Sequence, residues 1–220
     1  MPRDWEFDTE SSDYTMLQDI LSDLGGETRT FGGKDIKGWN QDPDTLMNAM
    51  RLISLHETGG TESPTQMQLQ GKEGQEGMGL FQYEKGKGHG AHTAINRLES
   101  YFEGRGMDVP EWLSSVNEES GWDVSSLSPS QQYMLFLGDK ALDPTAHMRD
   151  VDTVGGLRDF WEKEHWAGHK YGENNQLLNP EVVKARQESF DETIEHNLKK
   201  HGDSMGFFKD TMLDQLASKK

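Results

Sequence analysis

The chain has 220 residues, 39 Asp and Glu against 22 Lys and Arg, a formal net charge of -17 at pH 7, and no cysteine. That length suits one sizeable domain with short arms rather than two large domains. The acidic balance disfavours nonspecific binding to nucleic acid or to an anionic membrane, and the missing thiols exclude disulfide scaffolds, thiol catalysis and cysteine-based metal sites.

Only 32% of the residues are hydrophobic, which leans toward disorder, yet six Trp, five Tyr and nine Phe can bury large areas and argue for a folded centre within an acidic periphery. Residues 1–12 are polar and acidic. Tyr14, Leu17, Leu21 and Leu24 then recur at helical spacing until Gly25 and Gly26 stop the pattern, predicting a short amphipathic helix. Residues 25–41 read as a loop or extended arm. Asp42-Pro43 has the form of an N-cap with a first-turn proline, followed by Leu46, Met50 and Ile53 on one helical face and a stop at Gly59-Gly60. The polar, glycine-rich stretch 61–91 predicts a small hairpin or long loop.

Ile95, Leu98 and Phe102 mark the next helix. Ser128-Pro129-Ser130-Gln131 is a capping box opening a helix dense enough in apolar residues, from Tyr133 to Leu137, to lie at the centre of the core. Leu157, Phe160 and Trp161 define a further helix, Asn179-Pro180 caps another carrying Val183, Phe190, Ile194 and Leu198, and Phe208, Met212 and Leu216 outline a last one. The expected fold class is mainly α (α+β): a helical domain over 42–200 with one small β-hairpin, an acidic N-terminal arm with a short helix over 1–41, and a C-terminal amphipathic helix over 201–220. No basic cluster followed by an apolar run opens the chain, and no stretch of about 18 apolar residues occurs, so the expectation is a soluble protein without a standard export signal.

The sharpest local feature is Leu55-His56-Glu57-Thr58-Gly59-Gly60. Glu57 is the next position on the stripe of Leu46, Met50 and Ile53, which puts a carboxyl group at the buried end of a helix. Apolar surroundings disfavour its charged form, and a glutamate kept protonated near neutral pH is what a general acid requires. The bland alternative is a last-turn glutamate facing solvent or a cation. Downstream, Glu76-Gly77-Met78-Gly79-Leu80-Phe81-Gln82-Tyr83 places aromatic rings beside an amide in a glycine-flanked turn.

A helix-terminal Glu-Thr-Gly-Gly, a polar hairpin and then Gly-Leu-Phe-Gln resembles the lysozyme superfamily, especially goose-type lysozymes, soluble lytic transglycosylases and phage tail lysozymes. Asn96-Arg97-Leu98, the helix from Ser128 to Leu137, and Asp159 to Trp166 follow in the order of the phage tail enzymes, so the resemblance spans roughly residues 42–195. It implies a lysozyme-like fold that cleaves the β-1,4 bond between N-acetylmuramic acid and N-acetylglucosamine in peptidoglycan. Glu57 would protonate the leaving oxygen. Gln82, Tyr83 and Phe81 would line the sugar groove, with Tyr83 the better groove candidate and Phe81 as readily a core residue. A second carboxylate would come from Glu62, Glu73, Glu76 or Glu84, with Glu76 favoured. Phe81 stands where the transglycosylases have Met and the alanine-rich stretch between their motifs is missing, which tilts the expectation toward hydrolysis over lytic elimination.

No cofactor and no metal is expected. A zinc peptidase built on His165 and His169, or on His89 and His92, lacks the glutamate of a His-Glu-x-x-His motif. A second rival is a structural virion component with a degenerate lysozyme fold, docked through its terminal helices, against which stands simple packing of those helices on their own domain. The expected partners are peptidoglycan glycan strands and virion or tail proteins, with neither nucleic acid nor membrane. At -17 the chain forfeits the long-range attraction of anionic cell walls for cations, so the expectation is an enzyme made in the host cytoplasm and delivered in a virion.

Overall fold

A computed structural model describes residues 7–24, 42–61, 63–65, 67, 77–84, 90–142, 150–162 and 179–218, and the backbone of 29–31 and 34–36. It is mainly helical. In chain order the elements are α1 (Ser12–Leu24), β1 (Arg29–Phe31), β2 (Lys34–Ile36), α2 (Pro43–Glu57), β3 (Gly77–Met78), β4 (Tyr83–Glu84), α3 (Gly90–Gly104), α4 (Glu111–Ser115), α5 (Pro129–Lys140), α6 (Val154–Phe160), α7 (Pro180–His201) and α8 (Phe207–Ser218). Two antiparallel hairpins interrupt the helices: Arg29 pairs with Ile36 in the first, and Met78 pairs with Tyr83 in the second. The second is the expected one, whereas the first falls where a loop or extended arm was predicted.

The helix starts follow the capping chemistry of the sequence. Asp42 Oδ1 accepts from the Thr45 backbone N–H at 3.0 Å with Pro43 in the first turn of α2. Ser128 and Gln131 form both halves of the capping box of α5, and Asn179 Oδ1 accepts from the Glu181 N–H ahead of α7. The short α4 carries too little apolar periodicity to be read from sequence, but its Leu113 is fully buried.

α5 is the central helix. Ser130 and every residue from Gln132 to Gly138 are buried, and it packs chiefly against α3 and α1. Gly138 permits that approach: a Cβ there would lie 2.7 Å from Leu98 Cγ and 2.8 Å from the Ala94 carbonyl on α3. One core joins these helices to the terminal ones, since Leu17, Ile20 and Leu21 of α1 and Phe208, Met212 and Leu216 of α8 belong to the same buried cluster. Asp23 ties α1 to α3 by accepting from the Tyr101 hydroxyl at 2.7 Å and pairing with Arg105. Both terminal helices thus bury their apolar faces on their own domain. Among the described residues no helix is long and apolar enough to cross a membrane.

Candidate active site

The end of α2 explains why Glu57 is held where it is. Gly59 and Gly60 adopt φ of 60° and 81°; the Gly60 N–H bonds the Leu55 carbonyl at 2.7 Å, and the Gly59 N–H bonds that of His56 at 3.2 Å. This is a Schellman closure, in which a left-handed residue just past the helix turns the chain back over its last turn. Thr58 adds its hydroxyl to the Ser54 carbonyl at 2.7 Å. Glu57 is therefore the last helical residue, at the end of a stripe whose Leu46, Met50 and Ile53 are fully buried.

Glu57 keeps an edge toward solvent, but its carboxyl is enclosed enough that desolvation pushes its pKa up to about 7. One hydrogen bond opposes that rise. The indole Nε1–H of Trp161 donates to Glu57 Oε1 at 2.9 Å, favouring the ionised form, and desolvation outweighs it. Trp161 follows directly on α6, where the chain widens into a π-helical turn at Trp161 and Glu162, both nearly inaccessible. Its ring stacks on Phe190 of α7, with centroids 4.5 Å apart and planes 25° from parallel.

His56 completes the wall. Its ring stands edge-on to Trp161 at 4.9 Å and tilted against Phe190 at 4.8 Å. Burial drives its pKa down to about 4, so it contributes no positive charge beside Glu57 near neutrality. A largely enclosed carboxyl that keeps its proton up to about pH 7, aromatic walls and an N–H donor make a group able to give up a proton near neutrality.

The turn after β3 is placed differently from its expected role. Phe81 is 2% exposed and stacks on Phe136 of α5 with centroids 4.2 Å apart, while Tyr83 is 5% exposed. Both rings are interior, so neither offers a face to a sugar. Gly90 at the start of α3 lies against the Tyr83 ring, and burial raises the Tyr83 hydroxyl well above its usual pKa. Gln82 is partly exposed but uses its Nε2 to donate to the Gly79 carbonyl at 2.7 Å, closing its own turn at a φ of 51°.

The turn is anchored from below by Gln132 on α5. Gln132 Oε1 accepts from the Leu80 N–H at 2.7 Å, and its Nε2 donates to the carbonyls of Pro64 and Leu127 at 2.9 and 3.0 Å. Gly79 is required there, since a Cβ would lie 2.3 Å from Gln132 Oε1. Leu80 and Phe81 of this turn meet Gln132 and Phe136 of α5, whereas Glu57 bonds Trp161 at the end of α6 and its neighbour His56 packs on Phe190 of α7.

Of the carboxylates weighed as a partner for Glu57, Glu84 is exposed at the hairpin edge, and Glu62, Glu73 and Glu76 lie outside the described residues. His89, His165 and His169 lie outside them too. His92 is within them, packed edge-on to Trp122 at 4.5 Å. No group of three or more potential metal ligands occurs among the described residues. A cavity of about 730 Å³ opens nearer the start of α2, beside Met47, Arg51, Phe207 and Phe208, and Glu57 does not line it.

Trp161 is the residue whose role the sequence did not reveal. The Phe-Trp-Glu segment that contains it is visible as a motif, but a hydrogen bond between residues 104 positions apart leaves no local signal. No protein-family model, no curated protein and no solved structure matches this chain.

Proposed function

We propose that the protein is a peptidoglycan-degrading glycosidase that cleaves the β-1,4 bond between N-acetylmuramic acid and N-acetylglucosamine, with Glu57 as the general acid. The observation that supports this best is the carboxyl of Glu57, buried at the end of α2 and poised at a pKa of about 7. Near neutrality it holds a proton yet gives it up readily to a leaving oxygen. The lysozyme-like order of motifs supplies the substrate class. The charge of -17 favours delivery by a virion over free diffusion to an anionic wall.

The reading is tested by digesting purified peptidoglycan with the whole protein and weighing the released fragments by mass spectrometry. Muropeptides with reducing ends are the expected result, absent with Glu57→Gln. Anhydromuramic ends would replace hydrolysis with lytic elimination at the same acid. Free peptides, or no release by the folded protein, would overturn the reading in favour of a peptidase or of a structural virion component.

A further inference from the structure

We infer that the cavity of about 730 Å³ beside the start of α2 is a docking groove for a partner chain that inserts an apolar side chain and carries Lys or Arg next to it. The inference does not rest on the glycosidase reading, because Glu57 does not line the cavity. Its volume lies within the roughly 300–1,000 Å³ of concave binding sites. The apolar lining is gathered from both ends of the chain: Phe7 and Tyr14 from the N-terminal end, Met47 from α2, and Phe207 from the start of α8.

Phe207 is the strongest sign that the groove takes a partner. α8 buries Phe208, Met212 and Leu216, which recur every four residues on one face. Phe207 is off that stripe and 84% exposed, so the fold gains little from its ring. The elements that present it are fixed. Gly206 takes a φ of 50°, which glycine adopts freely, between a 3-10 turn at Gly202–Met205 and α8. Lys209 pairs with Asp203 at 2.6 Å across that junction. Phe7 is held likewise, edge-on to Tyr133 of α5 with centroids 4.9 Å apart, and 5.6 Å from Tyr14. A groove formed in advance binds with little ordering on its own side.

The charges choose the partner. Asp44, in the first turn of α2, and Asp152, ahead of α6, line the cavity and are exposed. Among the described residues neither has an ion pair or a side-chain hydrogen bond. Arg51 is the cation of the lining; it is 8% exposed and donates to the Ser204 hydroxyl, so the exposed charge of the lining is negative. A second copy would bring another -17 and be repelled, whereas a basic segment is attracted by the two carboxylates and by the field of the whole chain.

The test uses the whole protein carrying 13C in its methionine methyl groups. Met47 and Met205 line the groove, and Met134, fully buried on α5, does not. The three resonances are assigned by Met47→Leu, Met205→Leu and Met134→Leu. The probe is the blocked peptide acetyl-Lys-Phe-Leu-Lys-amide, compared with acetyl-Glu-Phe-Leu-Glu-amide and acetyl-Lys-Ser-Ser-Lys-amide. The first should shift the Met47 and Met205 methyls saturably and leave Met134 unmoved, and the other two should bind several-fold more weakly. Joint replacement Asp44→Asn and Asp152→Asn should weaken binding by roughly two- to fivefold per carboxylate, and added salt should weaken it as well.

Phe207→Ser, at a position the core does not use, should abolish the shifts while leaving the thermal unfolding midpoint unchanged. Equal binding of the acidic peptide, undiminished binding by the folded Phe207→Ser protein, or a basic peptide that moves neither methyl overturns the inference. Shifts that appear without peptide as the protein is concentrated give the groove to a second copy and overturn it too. No readout involves peptidoglycan, so failure of the groove and failure of the glycosidase reading are distinguishable.

Discussion

Trp161 meets Glu57 with a donor, and Glu57 meets Trp161 with an acceptor; that 2.9 Å bond joins the end of α6 to the end of α2. Its contribution to stability is separable from the chemistry of the acid. Glu57→Gln retains a carbonyl oxygen at the same reach, whereas Glu57→Met has the length but only a weakly accepting sulfur, and the buried indole N–H loses its oxygen partner. The Met variant should be less stable than the Gln variant by about 1–2 kcal/mol, measured by urea denaturation at pH 5, with both inactive. Equal stabilities would show that the bond does not contribute.

Two neighbouring residues give opposed pH dependences. Glu57 has its pKa raised from 4.5 to about 7, so its contribution to stability is full below pH 4.5 and is lost as pH rises through 7. His56 has its pKa lowered from 6.5 to about 4, so its contribution is full above pH 6.5 and is lost as pH falls through 4. Between pH 4.5 and 6.5 the two slopes cancel. Replacing Glu57 by Gln removes one of them. The stability of Glu57→Gln relative to the unsubstituted protein should therefore rise by on the order of 3 kcal/mol from pH 4.5 to pH 7. Denaturant midpoints across that range check it, and a difference that does not change with pH would refute it.

Gln132 should be the most sensitive polar residue of the core. Gln132→Leu leaves the Leu80 N–H and the carbonyls of Pro64 and Leu127 without their side-chain partner. A loss of about 2–4 kcal/mol is expected, together with faster hydrogen exchange at the Leu80 amide. Undiminished protection of that amide would show that the turn holds its shape without α5.

The parts of this molecule that could be read from its sequence are those fixed within a turn or two of helix. Asp42, Ser128 and Asn179 announce their helices because a cap acts on a backbone group two or three residues away. Glu57 was legible for the same reason, since the stripe through Leu46, Met50 and Ile53 and the glycines that close α2 are all local. Phe81 and Tyr83 were harder. A glycine-flanked turn ordinarily marks surface, but this one is drawn inward by Gln132, whose position in the middle of α5 gives no hint of a partner 52 residues earlier in the chain. The hairpin over Arg29–Ile36 is too short, and α4 too brief, to impose a period on the sequence.

The order in which the chain is made adds a consequence to the ring stack of Trp161 and Phe190. During synthesis α2, with Glu57 at its end, emerges from the ribosome long before either ring that shelters it. Until both rings dock, its carboxyl lies in water and ionises like that of any other glutamate. A nascent or truncated chain ending before Trp161 therefore carries Glu57 but not the rings that shelter it. The raised pKa of Glu57 belongs to the chain folded through Phe190 and not to α2 alone.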